Sequence, residues 1–300
     1  MKIYLLKNRW FHIITLLFLF IGISCNNTPQ EEDNKDPLAE QEQKNKQEQV
    51  FYTLTTPIEL VALMNQMGLY YNESLLNPTD NVTKYTTANL QAINLGVYAA
   101  DLTYSSLFNQ FQSTLKDFEA SKKLADGLGI TDAYEAGELN RIQDNINQKD
   151  SLLKIMSECL SNTDAYLKDN YRVGISLLVL SGGWIEGLYI ATQTYNAEST
   201  SPNFGSLIGE QKISLENILK LIEIYQDESG VDLTQIRKDM TELNKLYANV
   251  VITLQSSPSK EDKANHKTTL NSSTQVTISR EDIKAITEKV KEIRTRYTQL

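Results

Sequence analysis

Val173–Tyr195 reads VGISLLVLSGGWIEGLYIATQTY. These 23 residues carry one charge, Glu186, and crowd Gly182, Gly183 and Gly187 around Trp184 and that acid. A helix apolar on every side lies in a protein core or in a membrane. The most apolar part, Ile175 to Ala191, has 17 residues, short of the ~20 that a membrane span takes. It also contains a carboxylate and three glycines, which disfavour a lipid-facing helix. The stretch therefore predicts a buried central helix, provided that the flanking sequence can cover it.

The flanks have the periodicity that covering requires. Thr56-Pro57-Ile58-Glu59 predicts a helix start, with Thr as N-cap, Pro at the first helical position and Glu closing a capping box. Apolar residues then recur at Leu60, Met64, Met67, Tyr71 and Leu75, until Asn77-Pro78 ends the run. A second helix is expected over about 83–104 and a third over about 106–126, with Gly127 and Gly129 as its C-terminal stop. Thr131-Asp132 opens a stretch through Leu139, Ile142 and Ile146, and Leu152, Ile155, Cys159, Thr163 and Tyr166 make another stripe.

After the central helix, 199–205 reads as a loop with Pro202. Ile208, Leu215, Ile218, Ile222 and Tyr225 form one stripe. Leu233, Ile236, Met240, Leu243, Tyr247, Val250 and Leu254 form the next, and Ile283, Ile286, Val290, Ile293 and Tyr297 the last. Ser279 with Asp282 caps that final helix. Residues 256–275 are polar, and a mobile loop is expected there, with a short extended piece at Val276–Ile278. No segment reads as a series of alternating strands. The expected fold is all-α: a single domain over 53–300, with about eight or nine amphipathic helices packed around the buried helix at about 173–195.

Residues 1–24 stand apart. Lys2, Lys7 and Arg9 precede an apolar run, Ile13–Ile21, in the pattern of a secretory signal. It ends in Gly22-Ile23-Ser24-Cys25. Here the chain resembles a bacterial lipoprotein, in which the cysteine is lipidated and becomes the new N-terminus. Ser24 fits that pattern, whereas Gly22 departs from the usual Leu, and this looser form resembles lipoproteins of the Bacteroidota. The LGVYAADLTY and GGWIEGLY stretches, at 95–104 and 182–189, add to the resemblance, which extends to helical envelope lipoproteins of that group. It implies lipidation at Cys25, an address at the cell envelope, the outer membrane in particular, and an all-helical fold. It implies no activity.

Residues 25–52 then form the lipidated cysteine and a polar, acidic tether without enough apolar surface to fold. The Glu31-Glu32-Asp33 run within it resembles the acidic patch of surface-exported lipoproteins, and plain solubilising charge is the other reading.

Without Lys2, Lys7 and Arg9, 26 basic residues face 38 acidic ones, a net charge of −12. That balance disfavours nucleic acid and anionic lipid surfaces, which are bound through Lys and Arg. The expected membrane contact is the N-terminal lipid, and the expected partner an envelope protein or a small ligand. Cys159 is the cysteine left after Cys25, so no intrachain disulfide forms; at its apolar position it reads as an inert thiol.

Much chemistry is excluded. His266 is the one histidine outside the signal segment, so no Ser-His-Asp or Cys-His system is available. No HExxH, paired CxxC or His cluster points to a metal, and no GxGxxG or GxxxxGK[ST] points to a nucleotide cofactor. No cofactor is expected.

Two lone carboxylates remain, Asp101 and Glu186. Asp101 is the sole charge between Lys84 and Lys116. A buried carboxylate has to be paired, hydrogen-bonded or protonated. If their two helices pack together, the acids form a structural pair, a ligand or partner site with Trp184, Tyr98, Tyr104 and Tyr189, or a general acid and base. The leading expectation is a non-enzymatic binding or scaffolding module with Glu186, Trp184, Asp101, Tyr98 and Tyr189 at its site. The alternative is a carboxylate-based, glycan-directed hydrolase using Asp101 and Glu186 across an open cleft. The segments around them echo each other: Gly96-Val97-Tyr98 to Leu102, and Gly182-Gly183-Trp184 to Leu188. Worn duplication and chance similarity both account for the echo. The chain's other tyrosines serve either a core or a carbohydrate-binding surface.

Overall fold

A computed structural model describes residues 57–66, 70–131, 138–145, 148–195, 202–227, 230–256, 260–262, 267–269 and 272–299. The signal segment, Cys25, the tether, the Thr56 cap, Ile146 and His266 lie outside the described residues. Among the described residues there are nine α-helices: α1 Pro57–Gln66, α2 Ala88–Leu107, α3 Phe111–Leu128, α4 Glu138–Asp144, α5 Lys149–Asp169, α6 Val173–Thr194, α7 Pro202–Tyr225, α8 Thr234–Leu246 and α9 Arg280–Thr298. Two 3-10 turns, Glu73–Leu75 and Thr79–Lys84, lie between α1 and α2. The fold is all-α around a central helix.

That helix is α6. It is apolar enough to cross a membrane by composition, yet 89% of its most apolar window is buried within the protein. α2, α1, α7, α9 and α5 all pack against it, so protein takes the place that lipid would. The α2–α6 contact is the most extensive, and glycine makes it possible. A Cβ on Gly96 would lie 1.9 Å from the Val179 carbonyl oxygen, and one on Gly182 would lie 1.9 Å from the Ile93 carbonyl oxygen. Each glycine therefore admits the other helix's backbone, an approach that no larger residue permits. The echoed Gly96 and Gly182 segments are the two sides of one crossing.

Local signals set the helix ends. Thr87 Oγ1 accepts from the Leu90 N–H at the start of α2. Gly129 closes α3 in the left-handed region, at φ 65°. Ser279 and Asp282 form a reciprocal capping box on α9.

Several expected boundaries change. α2 begins at Ala88, because 79–84 is wound as a 3-10 turn. α2 and α3 are separate helices, broken at Asn109 with φ 58°. Tyr71 and Leu75 are not on the first helix: Leu75 lies in a 3-10 turn. Pro202 is the first residue of α7 rather than part of a loop, a position where its missing N–H is not needed.

The largest change is at 251–277. Val251–Ser256 pairs antiparallel with Ser272–Thr277, Val251 opposite Thr277, and a short pair, Lys260–Asp262 with Lys267–Thr269, lies beyond it. The expected polar loop is thus a β-ribbon over much of its length, and Leu254 belongs to a strand rather than to the α8 stripe. Ile252, Val276 and Ile278 pack against the core. Val276 seats over Gly209 of α7, where a Cβ would meet its Cγ1 at 2.5 Å. The β-branched run Val250-Val251-Ile252-Thr253 was the available signal.

Most of the core is one cluster around α6. A smaller one, Leu102, Phe118, Ile142, Leu152, Ile155 and Met156, ties α4 and α5 to α2 and α3, with Cys159 half-buried against it.

Candidate functional site

The α2–α6 crossing carries both lone acids inward. Asp101 lies five residues beyond Gly96 and Glu186 four beyond Gly182, and both are fully buried. Their fates differ. Arg294 of α9 reaches Glu186 in a two-pronged pair: Nε donates to Oε2 and Nη2 to Oε1, each at 2.9 Å. Nη2 also donates to the Leu75 carbonyl at 3.1 Å, and the guanidinium lies 4.5 Å from the centre of the Tyr189 ring. Burial opposes the Arg294 charge, but the Glu186 carboxylate outweighs it and holds the arginine pKa above its ordinary value.

Among the described residues Asp101 has no cation of its own. Its Oδ2 accepts from the Asn77 N–H at 3.0 Å, and its Oδ1 is buried with no partner among the described residues. Desolvation, then the neighbouring charges of Glu186 and Asp117, push its carboxyl well above the usual range. The neutral acid is the form that such a place tolerates. No hydrogen bond joins Asp101 to Glu186 among the described residues.

The network has a structural consequence for 70–85, the segment containing the 3-10 turns. Arg294 holds Leu75, and Asp101 holds Asn77. Asn77 Nδ2 donates to Tyr85 Oη, whose hydroxyl donates to the Thr298 carbonyl. Tyr98 Oη donates to the Pro78 carbonyl, while Tyr104 Oη donates to the Tyr70 carbonyl and accepts from the Asn72 N–H. Buried polar side chains of α2 and α9 thus fix a segment that has little regular backbone pairing of its own.

Between that segment and α3 lies a cleft of about 510 Å³. Glu73, Leu76, Asn77, Pro78, Asp80 and Val82 line one wall, and Ser113, Lys116, Asp117, Glu119, Ala120 and Lys123 the other. The α3 residues recur at helical spacing, so one face of α3 forms the wall. Asp117 is 3% exposed. Its Oδ2 accepts from Ser105 Oγ, which in turn accepts from Thr114. Burial, more than the Ser105 bond can offset, pushes the Asp117 carboxyl up to about 7.

None of the residues expected to line a site does so here. Asp101, Glu186, Trp184, Tyr98 and Tyr189 are buried, and none lines this cleft. Trp184 donates from Nε1 to Gln211 Oε1 at 3.1 Å within the core, as a buried indole requires. Sequence reading missed Asp117, Lys116 and Lys123 because α3 is rich in charge and these residues look like a solvated face. The signal was Asp117 itself, a charge beside Phe118 on the side of the helix that also carries Leu124 and Ala120.

Among the described residues no group of three or more His, Cys, Asp or Glu is arranged to hold a metal ion. Compared with known proteins, the chain matches no family model, no curated protein and no solved structure.

Proposed function

We propose that this chain is a lipid-anchored lipoprotein of a bacterial envelope, whose helical domain is a non-enzymatic binding module for a small ligand. The cleft between 70–85 and α3 is its binding site. The cleft is the observation that carries this reading: about 510 Å³ is within the range of small-molecule sites, and one of its walls is held by an extensive buried polar network. Cys25, its polar and acidic tether and the net charge of −12 support the envelope address.

A hydrolase using Asp101 and Glu186 is disfavoured by the same geometry. General acid and base must reach the bond that they cleave, whereas these two carboxylates are sealed in the core and Glu186 is engaged by Arg294.

Two measurements test the reading. Cys25→Ala abolishes incorporation of labelled palmitate and releases the protein from the membrane fraction; a variant that stays acylated and membrane-bound refutes the anchor. For the cleft, the full-length chain in detergent is melted with a panel of amino acids, short peptides, amines, carboxylates and sugars. Stabilisation by a panel member, lost in Ser113→Trp, which places an indole in the cleft lining, supports the site. No stabilisation, or stabilisation that survives that substitution, refutes it.

A further inference from the structure

Asp117 is a different kind of acid from Asp101 and Glu186. It sits deep in the cleft wall, 3% exposed. Ser105 occupies Oδ2, while Oδ1 has no partner among the described residues. Oδ1 is also absent from the sealed atoms of the core, which leaves it accessible from the cleft that Asp117 lines. An ionised carboxylate is an acceptor on every side, so one oxygen stands open for a donor. Ala120, one turn along α3, presents only a methyl group beside it.

The cleft also carries two lysines. Lys116 and Lys123 line it from exposed positions, and neither makes a salt bridge among the described residues. Asp117 and Lys123 are six residues apart on α3, a rise of about 9 Å. Lys116 directly precedes Asp117 and flanks the deep anion, so Lys123 is the lining cation set off from Asp117 by the length of a short ligand. The remaining acids of the lining are disposed differently. Glu73 accepts from Ser113 Oγ at 3.4 Å, and Asp80 and Glu119 stand with the lysines at the rim.

Resting on the cleft as the ligand site, we infer that its ligand is a small zwitterion of amino-acid or dipeptide size. The ammonium group is seated on Asp117, and the carboxylate faces Lys123. An ammonium supplies three donors on a compact head, which suits a single open oxygen in a narrow place. A dication would meet two lysines, and a simple anion would meet the buried acid. A zwitterion complements both Asp117 and Lys123.

The charges around Asp117 bear on the proton balance. Burial, and then the charges of Glu186 and Glu73, disfavour its ionisation, while the Ser105 hydrogen bond and Lys116 favour it. Near neutral pH a share of Asp117 is protonated, and an ammonium arriving at Oδ1 expels that proton. Binding is thus accompanied by proton release near pH 7, read as a dependence of the calorimetric heat on the buffer's ionisation enthalpy.

The test is isothermal titration calorimetry on the full-length chain in detergent, with three probes of one skeleton: the dipeptide Ala-Ala, N-acetyl-Ala-Ala, which lacks the ammonium, and Ala-Ala amide, which lacks the carboxylate. Ala-Ala is expected to bind tightest, with each capped probe at least tenfold weaker. Asp117→Asn, which keeps shape and is checked for an unchanged far-ultraviolet circular dichroism spectrum, brings Ala-Ala down to the level of N-acetyl-Ala-Ala. Lys123→Met brings it down to the level of the amide. Equal binding of N-acetyl-Ala-Ala and Ala-Ala overturns the inference, as does Ala-Ala binding unaffected by Asp117→Asn. If no probe binds while another panel compound stabilises the protein and loses that effect in Ser113→Trp, the zwitterion falls and the cleft stands. If nothing in the panel stabilises the protein, both fall.

Discussion

Replacing Arg294 with methionine keeps much of the aliphatic volume and removes the charge. Glu186 then stands fully buried without its cation, the Leu75 carbonyl loses a donor, and the contact with the Tyr189 ring is lost. Removing one member of a buried ion pair costs about 3–5 kcal/mol, and an orphaned buried carbonyl costs about 1 kcal/mol more. At about 2–4 °C per kcal/mol for a domain of this size, the melting temperature is expected to drop by roughly 10–20 °C. The same argument predicts recovery. In Glu186→Leu/Arg294→Met neither charge is present, and apolar replacements of buried pairs are often close to neutral, so the double variant melts well above the single one. Thermal denaturation followed by circular dichroism on wild type, single and double variants measures both. A single variant that melts within about 4 °C of wild type refutes the reasoning, because that span is the worth of about 1 kcal/mol. A double variant no more stable than the single one refutes it too, since the loss would then not come from the unpaired Glu186.

Other outcomes follow from the same geometry. Asp117 binds a proton in the folded protein up to a pKa of about 7, whereas the unfolded chain releases it near pH 4; the resulting stability is complete below about pH 4 and is lost as pH rises towards 7. The stability of wild type relative to Asp117→Asn, from paired melts that cancel the surface carboxylates, is therefore expected to fall over that window by on the order of a few kcal/mol, and a flat difference contradicts the burial argument. Gly182→Ala drives a methyl into the Ile93 carbonyl and lowers stability by about 1–3 kcal/mol or more, whereas at Gly187 the methyl meets only the movable tip of Leu60 at 3.1 Å, so Gly187→Ala stays near wild type; equal melting temperatures for the two variants contradict the crossing. Trp184→Phe leaves Gln211 Oε1 without its donor and is expected to cost about 1–3 kcal/mol, measured by urea denaturation.

The all-α fold was legible in the sequence because helical periodicity is a local property. The stripe Ile283, Ile286, Val290, Ile293 and Tyr297 predicts its helix without reference to any other segment, and a capping box needs only four residues. Composition identified α6 as the helix to be covered, since nothing on its surface but Glu186 calls for water. The same local signals failed at 251–277, where polar strand residues look like a loop until their pairing is known.

What the carboxylates do was decided by tertiary structure alone. Glu186 and Arg294 are 108 residues apart, and no pattern in either helix announces the other. Asp101 ended with an N–H from Asn77 and no cation among the described residues, while Asp117, which looked like one more surface charge on α3, is a buried acid in the wall of a cleft. A helix face has no assigned use until something packs against it or leaves it open. Burial, and with it the cost of a charge, depends on that packing. The sequence therefore determined that α2 and α6 each carry one lone acid in apolar surroundings, and only the assembled fold determined that both are buried, which acid is paired, which is neutral, and that Asp117 keeps an oxygen without a partner among the described residues.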